Sequence, residues 1–448
     1  MKTSFVLPLL TFVYLQLFVS STFQANFFAS NDSTSLKGLI LIAQKGYTSI
    51  PTNETYPNDE YTVPEYWPDG YGQLTITGKQ KIYKLGQSIA SKYSKFLPNN
   101  PHEVYIQSFD DTPCFESAEV LAAGIFPPVD RWIWNDKLNW QPVKVNARPA
   151  SSDNVLGFSI PCELPTLSTT ETKEAYIQLT KAHTGLLSFI SEATGWTDMS
   201  IMQFVDLYKT IILEENNMLS RPPWLNQTIW QEMDKFVSDL AYLMYSNRQV
   251  QRTIAGPLLA QISENIANIE KNGEPKVYIY VSQQPKLITL LTSLLINNTQ
   301  EILTKPGSVI GLEIYQESGK KPYFNLVFND GDKTENWKPL AMYGCNQNCT
   351  MDHFNSFAKL ISPLTAQELC AQSDNKPVTF PSIPKSPESA PATNVETDAD
   401  NAANEDSSSG GGWRAFLITI LCLACVALII FGVSSYMKNR QRVEYFFI

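Results

Sequence analysis

The stretch Leu36 to Ala43 is an apolar run, rich in Leu and Ile and bounded by polar residues. It lacks the strict alternation of a strand with one wet face, and it fits a strand covered on both faces in a parallel sheet. Such a strand delivers Gln44 to Thr48 to its C-terminal end, where open α/β sheets place their ligands. The sequence that follows alternates accordingly. Gln73 to Leu97, with Leu74, Ile82, Leu85, Ile89 and Tyr93 at helical spacing, predicts a helix, and Glu103 to Ser108 a short strand. Between Glu171 and Asn272 the apolar periods are helical, in Tyr176 to Ile190, Ile201 to Leu213, Trp230 to Tyr245 and Ile254 to Ile269. The strand Lys276 to Val281 and the helix Leu287 to Ile296 then restore the alternation, and Leu312 to Tyr315 and Tyr323 to Phe328 predict two late strands. The expected architecture is an α/β sheet flanked by helices. Its body runs over 36–165 and 273–373, with a mainly helical insertion at 166–272 between the two parts.

The two ends of the 448-residue chain follow different rules. Val6 to Val19 is apolar behind Lys2 and leads to small residues near Ala25, the pattern of a secretory signal peptide over 1–25. Ala415 to Val433 carries no charge and, within 413–437, matches the ~20 apolar residues that cross a bilayer. Lys438, Arg440 and Arg442 follow directly, which makes the tail 438–448 cytoplasmic and the body luminal or extracellular. Residues 374–412, rich in Pro, Ser, Ala, Asn and acids, read as a solvated stalk. The net charge of −10 and the lack of a dense basic patch argue against a nucleic-acid partner. The lipid bilayer is the partner that the sequence itself specifies.

Of seven cysteines, Cys422 and Cys425 lie in the expected span, leaving Cys114, Cys162, Cys345, Cys349 and Cys370 in an oxidising compartment. Acceptor sequences for N-glycosylation begin at Asn31, Asn53, Asn226, Asn297 and Asn348. No metal-ligand spacing, phosphate-cradling glycine loop or Gly-x-Ser-x-Gly elbow is present, so no metal or cofactor is expected. The only histidines are His102, His183 and His353, none at an expected strand end.

Several stretches resemble the histidine acid phosphatase family. They are Trp67-Pro68-Asp69-Gly70-Tyr71-Gly72-Gln73-Leu74-Thr75, Ile125-Phe126-Pro127-Pro128, Ile133-Trp134-Asn135 and Trp140-Gln141-Pro142. The likeness runs from about Leu36 to Cys370, and the arrangement around the membrane, with signal peptide, luminal body, stalk, span and short tail, resembles the lysosomal, single-span branch of that family. It implies a histidine phosphatase-like (phosphoglycerate mutase-like) fold and two disulfides, Cys162 with Cys370 and Cys345 with Cys349, with Cys114 left over. In a chain-entropy view the longer bridge contributes on the order of 4–5 kcal/mol. The resemblance also leaves a homodimer open.

Family chemistry is a two-step phosphoryl transfer: a histidine accepts the phosphoryl group, arginines hold its oxygens, and an acid protonates the departing alcohol. On the family pattern this chain has Gln44 for the first arginine, Lys45 for the nucleophilic histidine and Thr48 for the second arginine. Gln107 stands for a third arginine, and Gln283 and Gln284 for the late His-Asp pair. All six positions depart. Lysine is a poor substitute, because the free amine is on the order of 10⁻⁵ of a solvated lysine near pH 5. Losing one preorganised donor in such a site can cost ~3 kcal/mol.

The expectation is therefore an inactive pseudophosphatase with a binding, lysosomal or cell-surface role, the alternative being a lysosomal-type acid phosphatase. The four glutamines and Lys45 are expected to converge on the old pocket, where amides could hold a neutral or weakly anionic polar ligand, its identity open. The tail ends Tyr445-Phe446-Phe447-Ile448, which resembles the Tyr-x-x-apolar signal read by clathrin adaptors. That places the chain in the lysosome or endosome, or at the plasma membrane.

Overall fold

Strand β1 (Thr34–Gln44) occupies the middle of a mixed sheet. Leu39 to Ala43 are buried on both faces, so every other element is arranged around the need to cover them. The computed structural model describes residues 34–52, 55–158, 173–294 and 302–362. On one side β1 pairs in parallel with β4 (Val277–Ser282), from Leu39↔Val277 to Gln44↔Ser282. On the other it pairs antiparallel with β5 (Val309–Glu317), with a register shift between Leu36 and Gly38. The sequence expectation of a purely parallel environment is thus corrected on one edge: burial on both faces dictates the apolar run, and it does not dictate the direction of the neighbour.

Beyond β4 lie β2 (Val104–Ser108) and β3 (Val145–Ala147), both parallel additions. Beyond β5 lie β6 (Tyr323–Asn329) and β7 (Trp337–Leu340), an antiparallel meander, and the two-residue β8 (Cys349–Thr350) also pairs with β6. The sheet order is β3-β2-β4-β1-β5-β6-β7.

Helix α1 (Ile76–Lys92) begins later than its periodicity predicts, because Gln73 and Leu74 are committed elsewhere. The Gln73 carbonyl accepts from the Ser49 amide and Leu74 bridges Thr48, so the Thr75 hydroxyl becomes the cap, accepting from the Gly78 amide at 3.1 Å. Helix α2 (Thr112–Ile125) has no strong apolar period, yet buries Cys114, Ala118, Leu121 and Ile125. It crosses α1 where glycine meets glycine. A Cβ on Gly86 would lie 2.6 Å from the Leu121 carbonyl and 2.9 Å from the Gly124 Cα, and one on Gly124 would lie 2.5 Å from the Tyr83 carbonyl.

Six helices separate β3 from β4 among the described residues: α3 (Lys173–Ala182), α4 (Thr184–Thr194), α5 (Ile201–Asn216), α6 (Gln227–Tyr245), α7 (Arg248–Ile254) and α8 (Gly256–Glu270). Their starts are written in the sequence. Ser200 and Gln203 form a capping box for α5, and the Asn226 and Asn247 side chains cap α6 and α7. Pro257, with no amide hydrogen to offer, sits in the first turn of α8. Ile190, Phe204, Ile211, Met233 and Phe236 form the core of this unit, joined by Tyr56 from the loop after β1.

After β4, helix α9 (Gln284–Ser293) starts at Gln284 rather than Leu287, since Pro285 suits a first turn. A Cys345–Cys349 disulfide precedes α10 (Met351–Ile361), whose buried face is Met351, Phe354, Phe357, Ala358 and Ile361. Among the described residues no helix is long and apolar enough to cross a membrane. The expected signal peptide, stalk, span and tail with Tyr445 and Ile448 lie outside them, as do Cys162, Cys370, Asn31, Asn53 and Asn297. A second unit, Ala371–Phe447, is wholly outside the described residues.

Because the α1–α2 crossing has no room for a methyl group, Gly86→Ala and Gly124→Ala should each destabilise the fold by about 1–3 kcal/mol, read as a lower urea midpoint. Unchanged midpoints would mean that the two helices separate at no cost.

Candidate functional site

The ends of β1 and β4 lie side by side, and the backbone just past them is fixed from both flanks. The Gln44 amide donates to the Ser308 carbonyl at 2.8 Å and the Lys45 amide to the Ser282 carbonyl at 2.9 Å, while the Gly307 amide donates to the Lys45 carbonyl at 3.1 Å. The Gly46 amide donates to the Ser117 hydroxyl of α2 at 3.0 Å. Side chains of Gln44 and Lys45 therefore leave a rigid platform beside the first residues of α9.

Two connected sets form there. In the first, the Lys45 ammonium stands 3.8 Å from Oδ2 of Asp111, and the same oxygen accepts a hydrogen bond from Gln283 Nε2. Asp111 Oδ1 meanwhile accepts from the Cys114 amide at 2.8 Å, capping α2. In the second, Gln44 is only 4% exposed and its Oε1 accepts from the Thr304 hydroxyl at 2.5 Å. Gln284 Nε2 donates to the Thr304 carbonyl, also at 2.5 Å. Gln283 Oε1 is buried without a hydrogen-bond partner among the described residues.

Gln44, Lys45, Gln283 and Gln284 thus come together, and the two remaining expected members do not join them through any direct hydrogen bond among the described residues. Gln107 is 1% exposed; its Oε1 accepts from the Tyr105 hydroxyl at 2.9 Å and its Nε2 has no partner there. Thr48 is buried, paired through its backbone with Leu74, and its carbonyl accepts from Asn217 Nδ2 at 3.4 Å. Of the four glutamines expected to converge, Gln44, Gln283 and Gln284 are linked here through Thr304 and Asp111, and Gln107 bonds to Tyr105.

Two members were not anticipated. Asp111 carried a signal, since Asp-Thr-Pro shortly after a strand is a helix start with an acceptor at the cap and proline in the first turn. Thr304 carried none; it lies in the loop before β5.

Other ionisable groups nearby are engaged elsewhere. Burial lowers the pKa of Lys209 on α5, with Asp206 opposing and Lys45 adding to the fall. Cys114 is fully buried, and burial pushes its thiol well above the ordinary range, so it is no nucleophile. Lys286 is fully buried too. Its ammonium donates to the Gly157 carbonyl at 3.0 Å and the Ile254 carbonyl at 2.7 Å, 5.1 Å from the Phe158 ring, and burial lowers its pKa to about 7. His183 and His353 contact backbone carbonyls of Leu179 and Tyr343, and His102 packs edge-on to Trp132. No group of three or more metal-ligating residues assembles among the described residues. Asn226 and Asn348 are both exposed.

The family model for the histidine phosphatase superfamily, branch 2, matches residues 28–329. The chain is 30% identical to a lysosomal acid phosphatase of Homo sapiens over 327 residues, 71% of this chain and 76% of that protein. It is 26% identical to a prostatic acid phosphatase of Rattus norvegicus over 326 residues, 70% and 83% of the two chains. Among solved structures, a phytase from Citrobacter braakii superposes with a TM-score of 0.58 at 15% identity, covering 76% of this chain and 100% of that one. A phytase from Hafnia alvei gives 0.57 at 13% identity, over 75% and 98%. These two likenesses concern the fold.

Asp111 links helix cap, Lys45 and Gln283, so its loss should be felt in stability. Asp111→Ala should cost about 1–2 kcal/mol, whereas Asp111→Asn, which still caps, should cost under about 1 kcal/mol, both measured by urea unfolding. Equal costs for the two variants would remove the cap from this account.

Proposed function

The chain belongs to the histidine phosphatase superfamily, branch 2, and on that premise we propose that it is a catalytically inactive member, a pseudophosphatase that acts by binding. The observation that carries this reading is the Lys45–Asp111–Gln283 set, in which the residue at the nucleophile position is a cation beside a carboxylate. Phosphoryl transfer needs a nucleophile and a clamp of positive charge on three oxygens. Here Lys45 meets one opposite charge on Asp111, and the other position-holders, Gln44, Gln283 and Gln284, are neutral amides hydrogen-bonded to one another's neighbours. A phosphate dianion entering this platform meets the Asp111 carboxylate, and no arginine is among the hydrogen-bonding partners described for these residues. What such a surface suits is a neutral or weakly charged polar group able to use the buried Gln283 Oε1 as acceptor.

The sequence features at the ends support a single-span type I membrane glycoprotein with its body on the luminal or extracellular side. The tail signal at Tyr445 and Ile448 and the name of the human relative, lysosomal acid phosphatase, favour the lysosomal and endosomal route. In this reading Asn226 and Asn348 carry glycans. The expected layout is body, stalk at 374–412, span at 413–437 and tail at 438–448.

The names of the relatives favour the competing reading, an active acid phosphatase. Hydrolysis of an aryl phosphate by the purified chain from acid to neutral pH separates the two. The expected result is no turnover by the native chain, and measurable turnover by a variant carrying Gln44→Arg, Lys45→His, Thr48→Arg, Gln107→Arg, Gln283→His and Gln284→Asp. Native turnover abolished by Lys45→Ala would overturn the proposal and assign the chemistry to lysine.

A further inference from the structure

Away from this platform, the loop after β1 meets the helical unit through two acids. Glu214, in the last turn of α5, is 1% exposed, and neither of its carboxyl oxygens finds a hydrogen-bond donor among the described residues. Its side chain lies within hydrogen-bonding reach of Asp59. Asp59 is itself placed by its loop, its Oδ2 accepting from the Thr55 hydroxyl and its Oδ1 from the Tyr61 amide at 2.8 Å. Two carboxyl groups can hydrogen-bond only if one of them keeps a proton.

The same junction is closed at other points. The Asn58 amide donates to the Thr194 carbonyl at 3.1 Å and Asn58 Nδ2 to the Ala193 carbonyl at 3.3 Å, both at the end of α4. The Tyr56 ring enters the helical core, 6.4 Å edge-on from Trp196. Just beyond Glu214, Asn216 accepts from Lys81 Nζ of α1 at 2.8 Å, and Asn217 reaches the Thr48 carbonyl. We infer that Glu214 and Asp59 form a proton-sharing latch that closes the loop after β1 onto the helical unit, tightened in acid and weakened as the medium becomes alkaline.

The charged surroundings fit. The groups that act on Glu214 are Asp59 and its neighbour Glu215, with Glu60, Tyr56 and Tyr61 from the same loop close by. The nearby cation, Arg221, is occupied by Glu215. Burial first, and Asp59 second, raise the Glu214 pKa from its ordinary 4.5 to about 9. Between those values the folded chain holds a proton that the unfolded chain has released, so rising pH favours unfolding by about tenfold per pH unit through this group. Lys286 acts oppositely above about pH 7, where its lowered pKa leaves the folded chain short of a proton. The comparison of variant with parent therefore isolates the latch, and it holds whether or not the strand-end platform is catalytic.

The test is hydrogen exchange of the full-length chain at about pH 7 and about pH 10, corrected for the intrinsic exchange rate, followed over residues 55–61 and 190–196, together with melting temperature across that range. In the parent chain, protection of 55–61 should fall by about tenfold or more at the higher pH. Glu214→Gln, which keeps a donor and removes the charge, should retain protection, with its melting temperature gaining on the parent as pH rises. If Glu214→Gln does not fold, Asp59→Asn, which offers the Glu214 carboxylate a permanent donor, should show a smaller loss of protection than the parent between the two pH values. Equal loss in parent and variant, or no loss in the parent, would overturn the latch.

Discussion

Strand β1 must be covered on both faces and paired on both edges, and the rest of the molecule follows from that demand. Leu39 to Ala43 would expose several apolar side chains and a row of free amides and carbonyls if either neighbour were missing. Parallel β4 and antiparallel β5 supply the pairing, and both deliver loops to the same strand end. The position of Lys45 is set by backbone hydrogen bonds to Ser282 and Gly307, not by its own side chain. Residues beyond the strand end can change their chemistry without disturbing the sheet. That separation of frame from side chains lets the sheet carry amides and a lysine just past its strand ends without strain on the strands themselves.

What the sequence discloses follows the strength of its periodicities. β1, β4 and the helices α5 and α6 are long or strongly apolar, and they stand close to where the pattern puts them. Helix α2 was invisible to the same reasoning because its contact face is made of Cys, Ala and Gly, residues that pack closely but scarcely raise an apolar period. β3, β7 and β8 are too short for alternation to register. At the site, a likeness to family motifs pointed to Gln44, Lys45, Gln283 and Gln284, which lie together at the ends of β1 and β4, and to Gln107, which bonds to Tyr105 on β2. Thr304 was unreadable because only folding brings its loop against Gln44.

Two buried ionisable groups pull the stability of this chain in opposite directions. Lys286 is held by carbonyls and loses its charge easily in the interior; Glu214 is held against another acid and keeps its proton. One penalises folding as the solution becomes more acidic than the lysine's ordinary range, the other as it becomes more alkaline than the glutamate's. Their overlap near neutrality flattens the pH response that either would impose alone, and below about pH 7 only the acid pair still varies.

Asp111 ties the helix cap of α2 to the ammonium of Lys45 with one carboxylate. The aspartate is anchored by folding as well as by its charge, so a replacement that cannot cap would loosen the helix start along with the ion pair. Lys45 inherits part of that restraint, since an apolar replacement would strand a carboxylate beside Gln283. The surroundings of Lys45 are therefore held in place by the same contact that starts α2, as a by-product of stability.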